Sequence, residues 1–204
     1  MRSTPILDSL HFLVGETPDH ASLGAAAIAF VLAYAALLLG SIAIAAVVLA
    51  QRPEQRNIRS ATIWLARLLI GTMWFQGSLW KLPLPVAGGF QYWTGQLAEH
   101  AAYSWHAELV RTVLLPNIAL LDPAVWVFET AMAVALMLGF GVRIAGVLGV
   151  LFMGNLWLGL YRNAAEWPWN YVFGALVHWF FVLDDAGRSL GLAALRWPGR
   201  ARRP

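Results

Sequence analysis

The sequence predicts an all-α, polytopic membrane protein, and three observations carry that prediction. Hydrophobic residues make up 59% of its 204 residues and charged residues 12%, against about 25% charged in a typical soluble domain. The apolar residues fall into separate runs, several long enough to cross a bilayer as helices. The basic residues alternate in density from one connecting segment to the next, as membrane topology requires. A formal charge of +3 with no soluble basic segment gives no reason to expect a nucleic-acid partner. The absence of cysteine removes thiol chemistry, disulfides and cysteine-ligated clusters.

Residues 1–20 lack the basic start, long apolar stretch and small-residue cleavage site of a secretory signal. Ile6, Leu7, Leu10, Phe12, Leu13 and Val14 suit either a short interfacial helix or a loose apolar tail. The first span runs from about Leu23 to Leu49 and carries no charge. Its Ala25, Ala29, Ala33, Ala36 and Gly40 favour close helix contact, so it reads as a structural or partner-docking helix.

After the polar loop from Gln51 to Arg59 comes the second span, about Ser60 to Trp80. Arg67, Gly71, Trp74, Ser78 and Lys81 share one face of this helix. Pro83, Pro85, Gly88 and Gly89 then break the chain and open an insert over 82–122. Within it Phe90, Trp93, Leu97, Ala101, Trp105, Leu109 and Val113 recur at helical spacing, which predicts amphipathic helices lying over the membrane face.

The third span, about Ala124 to Phe140, carries Glu129. A tight turn at Gly141-Val142-Arg143 joins it to the fourth, about Ile144 to Tyr161, which carries Asn155. An aromatic turn from Arg162 to Trp169 suits the membrane interface. The fifth span, about Asn170 to Leu183, carries His178, and a basic tail follows Arg188. The 51–59 loop, Arg143 and the tail hold nine of the fourteen basic residues. The positive-inside rule therefore predicts a cytoplasmic C-terminus, an outer N-terminus and location in the inner (cytoplasmic) membrane.

That topology sorts the intramembrane polar residues by depth. Gln76, Lys81, Glu129, Asn155 and Asn170 fall toward the outer side, beneath Trp80, Trp93 and Trp105. A glutamate at that depth needs a proton or a donor. Such a cluster suits the polar head of a lipid-soluble quinone, with Glu129 exchanging protons and Lys81, Gln76 and Asn155 holding carbonyl oxygens. It equally suits a polar network that fixes helix register. Toward the inner side, Arg67 with Asp184 or Asp185 makes a sensible structural ion pair, and Arg188 belongs to the same structural set.

His178 lacks a second intramembrane histidine with which to ligate a haem or other tetrapyrrole, and a buried bonded histidine or a proton-relay step suits it better. His100, His106, Glu99 and Glu108 read as the polar face of an interfacial helix, and no metal site is expected from their spacing. No phosphate loop, nucleophile elbow or zinc motif occurs. Any redox chemistry therefore needs an electron carrier that is the substrate itself or another subunit.

The run Arg67-Leu68-Leu69-Ile70-Gly71 with Trp80-Lys81-Leu82, then Phe128-Glu129 to Leu138-Gly139 and Gly141-Val142-Arg143, and finally Asp185-Ala186-Gly187-Arg188-Ser189-Leu190-Gly191, resembles the DoxX/DoxD-like family of small membrane proteins. Gly191 stands where an aspartate is common in that family. The resemblance covers about residues 60–191. It implies a four-helix transmembrane bundle over 51–191, to which residues 1–50 add a segment and one extra helix, with 192–204 as a basic cytoplasmic tail. It further implies association with a membrane oxidoreductase that uses quinone, and it makes Arg67, Lys81, Glu129 and Arg188 the family-like residues. The expected function is a quinone-binding oxidoreductase subunit, with Glu129 and Lys81 at the reacting end and Gln76, Trp80, Asn155 and His178 around the cofactor. A non-catalytic accessory subunit of a respiratory or photosynthetic complex, docked through the 23–49 helix, is the alternative.

Overall fold

The structure, a computed structural model, describes residues 4–13, 23–82 and 88–196. Val14, the helix-breaking Pro83 and Pro85, and the tail arginines Arg200, Arg202 and Arg203 lie outside the described residues. What is described is helical, with no strand among the described residues. The helices are α1 (Pro5–Leu13), α2 (Ala27–Gln51), α3 (Ile58–Leu79), α4 (Gly88–Glu99), α5 (Ser104–Leu109), α6 (Ile118–Leu138), α7 (Val142–Leu160), α8 (Trp169–Leu183) and α9 (Leu192–Arg196).

Three helical stretches among the described residues are long and apolar enough to cross a membrane: Leu23–Gln51, Ser104–Leu138 and Val142–Leu160. The apolar α8 is shorter. Helix α3 is 22 residues long, which at 1.5 Å per residue also spans a hydrocarbon core. It falls outside the apolar set because Arg59, Arg67 and Gln76 dilute its composition.

Helix α3 packs along α6, and α7 along α8, with α6–α7 and α2–α6 contacts joining the pairs. Small residues set how closely the pairs approach. A side chain at Gly71 would run into Met137 of α6, and one at Gly149 into the His178 ring of α8. The core between them is built from Leu68, Phe75, Met132, Leu136, Met153 and Phe181. Helix α2 is fastened by polar contacts as well as by packing. The Tyr34 hydroxyl lies 2.9 Å from Thr72 Oγ1, and Ser41 Oγ donates to the Met137 carbonyl at 2.7 Å while accepting from Trp64 Nε1 at 3.1 Å. In an apolar setting such bonds have few competitors, so they fix the rotation of α2.

One boundary moves well away from the sequence-based expectation. The third span begins at Ile118 rather than Ala124 and holds Pro123 inside it. Upstream, a π-turn (Val110–Leu114) and a 3-10 turn (Leu115–Asn117) link it to α5 without a break. Pro116 sits in that 3-10 turn, where its missing N–H costs little. The insert therefore divides: α4 packs against α7 and caps one end of the bundle, while α5 feeds into a membrane-length helix. Backbone bonds lock this cap down, with the Ala102 N–H donating to Leu158 O at 2.7 Å and the Arg162 N–H to His100 O at 3.0 Å.

Candidate functional site: a mainly apolar cavity beneath the helical cap

Under the α4 cap lies a cavity of about 460 Å³ enclosed by α3, α4, α6, α7 and the start of α8. Its wall is mainly apolar and aromatic, with Trp74, Trp80, Phe90, Trp93, Phe152 and Tyr171 the large contributors. Lys81, Thr94, Glu129, Asn155 and Glu166 interrupt it with polar groups. A largely apolar cavity with a few convergent polar groups is the usual form of a small-molecule site.

Lys81 lies just past the end of α3 and Glu129 midway along α6, and the close packing of those helices brings them together. The Lys81 ammonium donates to both carboxylate oxygens, at 2.5 and 2.7 Å. Only 13% of the lysine side chain and 3% of the glutamate side chain are exposed. Lys81 Nζ also stands 4.7 Å from the centre of the Trp80 ring, a further electrostatic contact for the cation. Each charge is tolerable at this depth because the other is present.

Asn155 faces the cavity from α7, and its Oδ1 lies 3.0 Å from His106 Nε2. A carbonyl oxygen only accepts, so the histidine donates through Nε2. The opposite ring atom, Nδ1, is buried without a partner. This arrangement turns the amide NH2 of Asn155 into the donor available to a cavity ligand. At the start of α8 the Tyr171 hydroxyl donates to Glu166 Oε2 at 2.9 Å, adding a second carboxylate to the wall.

Lys81, Glu129, Asn155 and Trp80 therefore stand together as expected, and other expected members do not. Gln76 is buried but absent from the cavity wall. On α3 and just past its end the wall positions are Met73, Trp74, Gly77, Trp80 and Lys81, and residue 76 turns to another side. His178 sits one layer behind the wall, where Nε2 accepts from Trp74 Nε1 at 2.9 Å and Nδ1 lies 2.7 Å from Gly174 O. With Nε2 accepting, Nδ1 carries the proton, and both nitrogens are committed. His178 therefore presents no free nitrogen to a cofactor. Trp105 is exposed and roofs nothing. His106, read from sequence as part of a polar surface, is 2% exposed and supports Asn155. Sequence reasoning also missed Glu166 and Tyr171. The signal was present, since Glu166 is the one acid in the aromatic turn.

At the opposite end of the bundle the expected Arg67 ion pair does not form. Asp184 pairs with Arg59, while Asp185 pairs with Arg188 at 3.2 Å and Arg143 at 3.6 Å. Of these, the Asp185–Arg188 contact belongs to the expected structural set. Arg67 is fully buried, and its Nη2 donates to the Ser189 carbonyl at 3.1 Å. Its Nε and Nη1 have no hydrogen-bond partner among the described residues.

Compared with known protein families, curated proteins and solved structures, the chain matches none.

Proposed function

We propose that this chain is a DoxX-like integral membrane subunit of an oxidoreductase and that the cavity under α4 holds the head of a quinone. In this reading α3, α6, α7 and α8 are the four-helix bundle and α2 is the added fifth span. The α4 cap faces outward and the Arg143–Arg188 end faces the cytoplasm, the orientation favoured by the basic loops. One observation carries the proposal: a buried, doubly bonded Lys81–Glu129 pair forms part of the wall of a mainly aromatic and apolar cavity.

Two-electron reduction of a quinone takes up two protons at its carbonyl oxygens, and oxidation of a quinol releases them. Glu129 is placed to give or take one of these, with Lys81 holding the carboxylate and compensating its charge. Asn155, oriented by His106, donates to a carbonyl oxygen, and the Trp80 and Trp93 rings supply flat apolar surface for the ring. Glu166, held by Tyr171, is the second carboxylate within the same space. In this reading the electrons come from a partner subunit.

The test is the quinone content of the protein purified in mild detergent from its native membrane. Near-stoichiometric quinone that is lost in Glu129→Gln, with the variant still assembling, supports the reading. Quinone-free wild-type protein contradicts it.

A second reading, an accessory subunit docked on a larger complex, draws on α2, whose Ile28, Leu32, Leu39 and Ile42 are exposed apolar residues. Substituting these with larger aromatic residues should release the chain from its complex. Retention of the complex would count against that reading.

A further inference from the structure

At the end of the bundle remote from the cavity, the turn from α6 to α7 and the segment 185–193 enclose a groove of about 270 Å³. Arg143 and Arg188 line it together with Asp185, and both arginines share that single carboxylate. One positive charge is therefore left over on the wall.

A second stands behind it. The Arg67 guanidinium is packed beneath Gly139 and Gly191, so closely that a side chain on either glycine would meet it. Gly191 in turn lies against the carbonyl of Gly187, which lines the groove. Among the described residues Arg67 has no carboxylate partner, and two of its nitrogens are unbonded. Nearby, Arg59 and Asp184 pair with each other and Arg196 lies 4.9 Å over the Phe140 ring, so neither of these contacts gives Arg67, Arg143 or Arg188 a counter-charge.

The groove wall also includes Gly141 to Ile144, the first turn of α7. Gly141 is the N-cap, in a left-handed conformation, and no side chain caps the helix. A helix start of this kind adds partial positive charge to the same place. Just beyond, Ile144, Val147, Leu148 and Leu151 form an exposed apolar track along α7.

We propose that this groove binds the phosphate of an anionic phospholipid, held by Arg143 and Arg188, with its acyl chains along Ile144, Leu148 and Leu151. The head carries the charge that three arginines and one aspartate leave unbalanced. The apolar track accounts for a lipid rather than a soluble anion. Arg67, buried behind the wall, contributes through its field and makes no contact.

The experiment is native mass spectrometry of the full chain in detergent, with phosphatidylglycerol and phosphatidylcholine of equal acyl composition offered in competition. Preferential retention of phosphatidylglycerol is expected. Arg143→Gln and Arg188→Gln should each reduce the preference about fivefold. Ala193→Leu, which fills the groove and alters no charge, should reduce it as well. Arg52→Gln, at the same end but off the groove, should leave it unchanged. Equal retention of the two lipids by wild type, or a preference that survives all three groove variants, overturns the proposal. Inorganic phosphate competing as well as the lipid would identify a soluble-anion site and overturn it too. Should the glutamine variants fail to fold, the wild-type comparison and Ala193→Leu still decide the matter.

Discussion

The two ends of the bundle handle buried charge in opposite ways. Beneath the α4 cap a lysine and a glutamate neutralise each other through two short bonds, in the wall of a mainly apolar cavity. At the other end a fully buried arginine leans on one backbone carbonyl, and the nearby carboxylates pair with other arginines. The first end stores a compensated pair next to empty space, an arrangement suited to exchanging a proton with a ligand. The second carries an excess of one sign at the edge of the apolar zone, an arrangement suited to holding the protein against a charged surface.

The comparison predicts that single substitutions at the two ends differ sharply in cost. Lys81→Met strands the Glu129 carboxylate in the interior and should cost about 3–5 kcal/mol. Lys81→Met combined with Glu129→Leu should recover most of that loss. Unfolding in detergent measures both, and a double variant as unstable as the sum of the singles would break the argument. Next in size is Gly149→Ala, which pushes a methyl group into the His178 ring and should cost about 1–3 kcal/mol. A wild-type melting temperature there would mean the α7–α8 contact is looser than described.

Arg67→Met should be milder, about 1 kcal/mol, because it abandons only the Ser189 carbonyl and no carboxylate. A loss as large as that of Lys81→Met would mean that Arg67 has an acidic partner after all. Arg59→Gln should be smallest, within about 1 kcal/mol, since its pair with Asp184 is solvent-exposed on the arginine side.

Much of the cavity was legible in the sequence because opposite charges inside a membrane must find partners. Lys81 and Glu129 were the two such charges on the outer side, and Asn155 was the nearby amide. All-helical architecture and membrane-length runs followed from composition in the same way. Arg67 was misread for a reason of backbone geometry. Asp185 adopts a left-handed conformation (φ 49°), as does Leu190 (φ 52°), and the chain between them folds back so that a carbonyl reaches Arg67. No local pattern announces that reversal.

His106 and Trp105 were misread for a different reason. They are adjacent on a six-residue helix, and a rotation of about 100° decides which of them is buried. With Glu108 two residues on and Arg111 beyond it, the histidine looks like surface until α5 is seen packed against α7. Gln76 failed on the same rotational ground. Its depth was right, but its face was not.

The account turns on the cavity being a quinone site, and the most direct measurement is a titration of the purified protein with a short-chain quinone. Tryptophan fluorescence serves as the signal, because Trp74, Trp80 and Trp93 line the space. Saturable quenching is predicted, weakened about tenfold in Asn155→Leu, which removes one hydrogen-bond donor while leaving the Lys81–Glu129 pair intact. Quenching that rises linearly with quinone, identical in wild type and Asn155→Leu, would contradict the account.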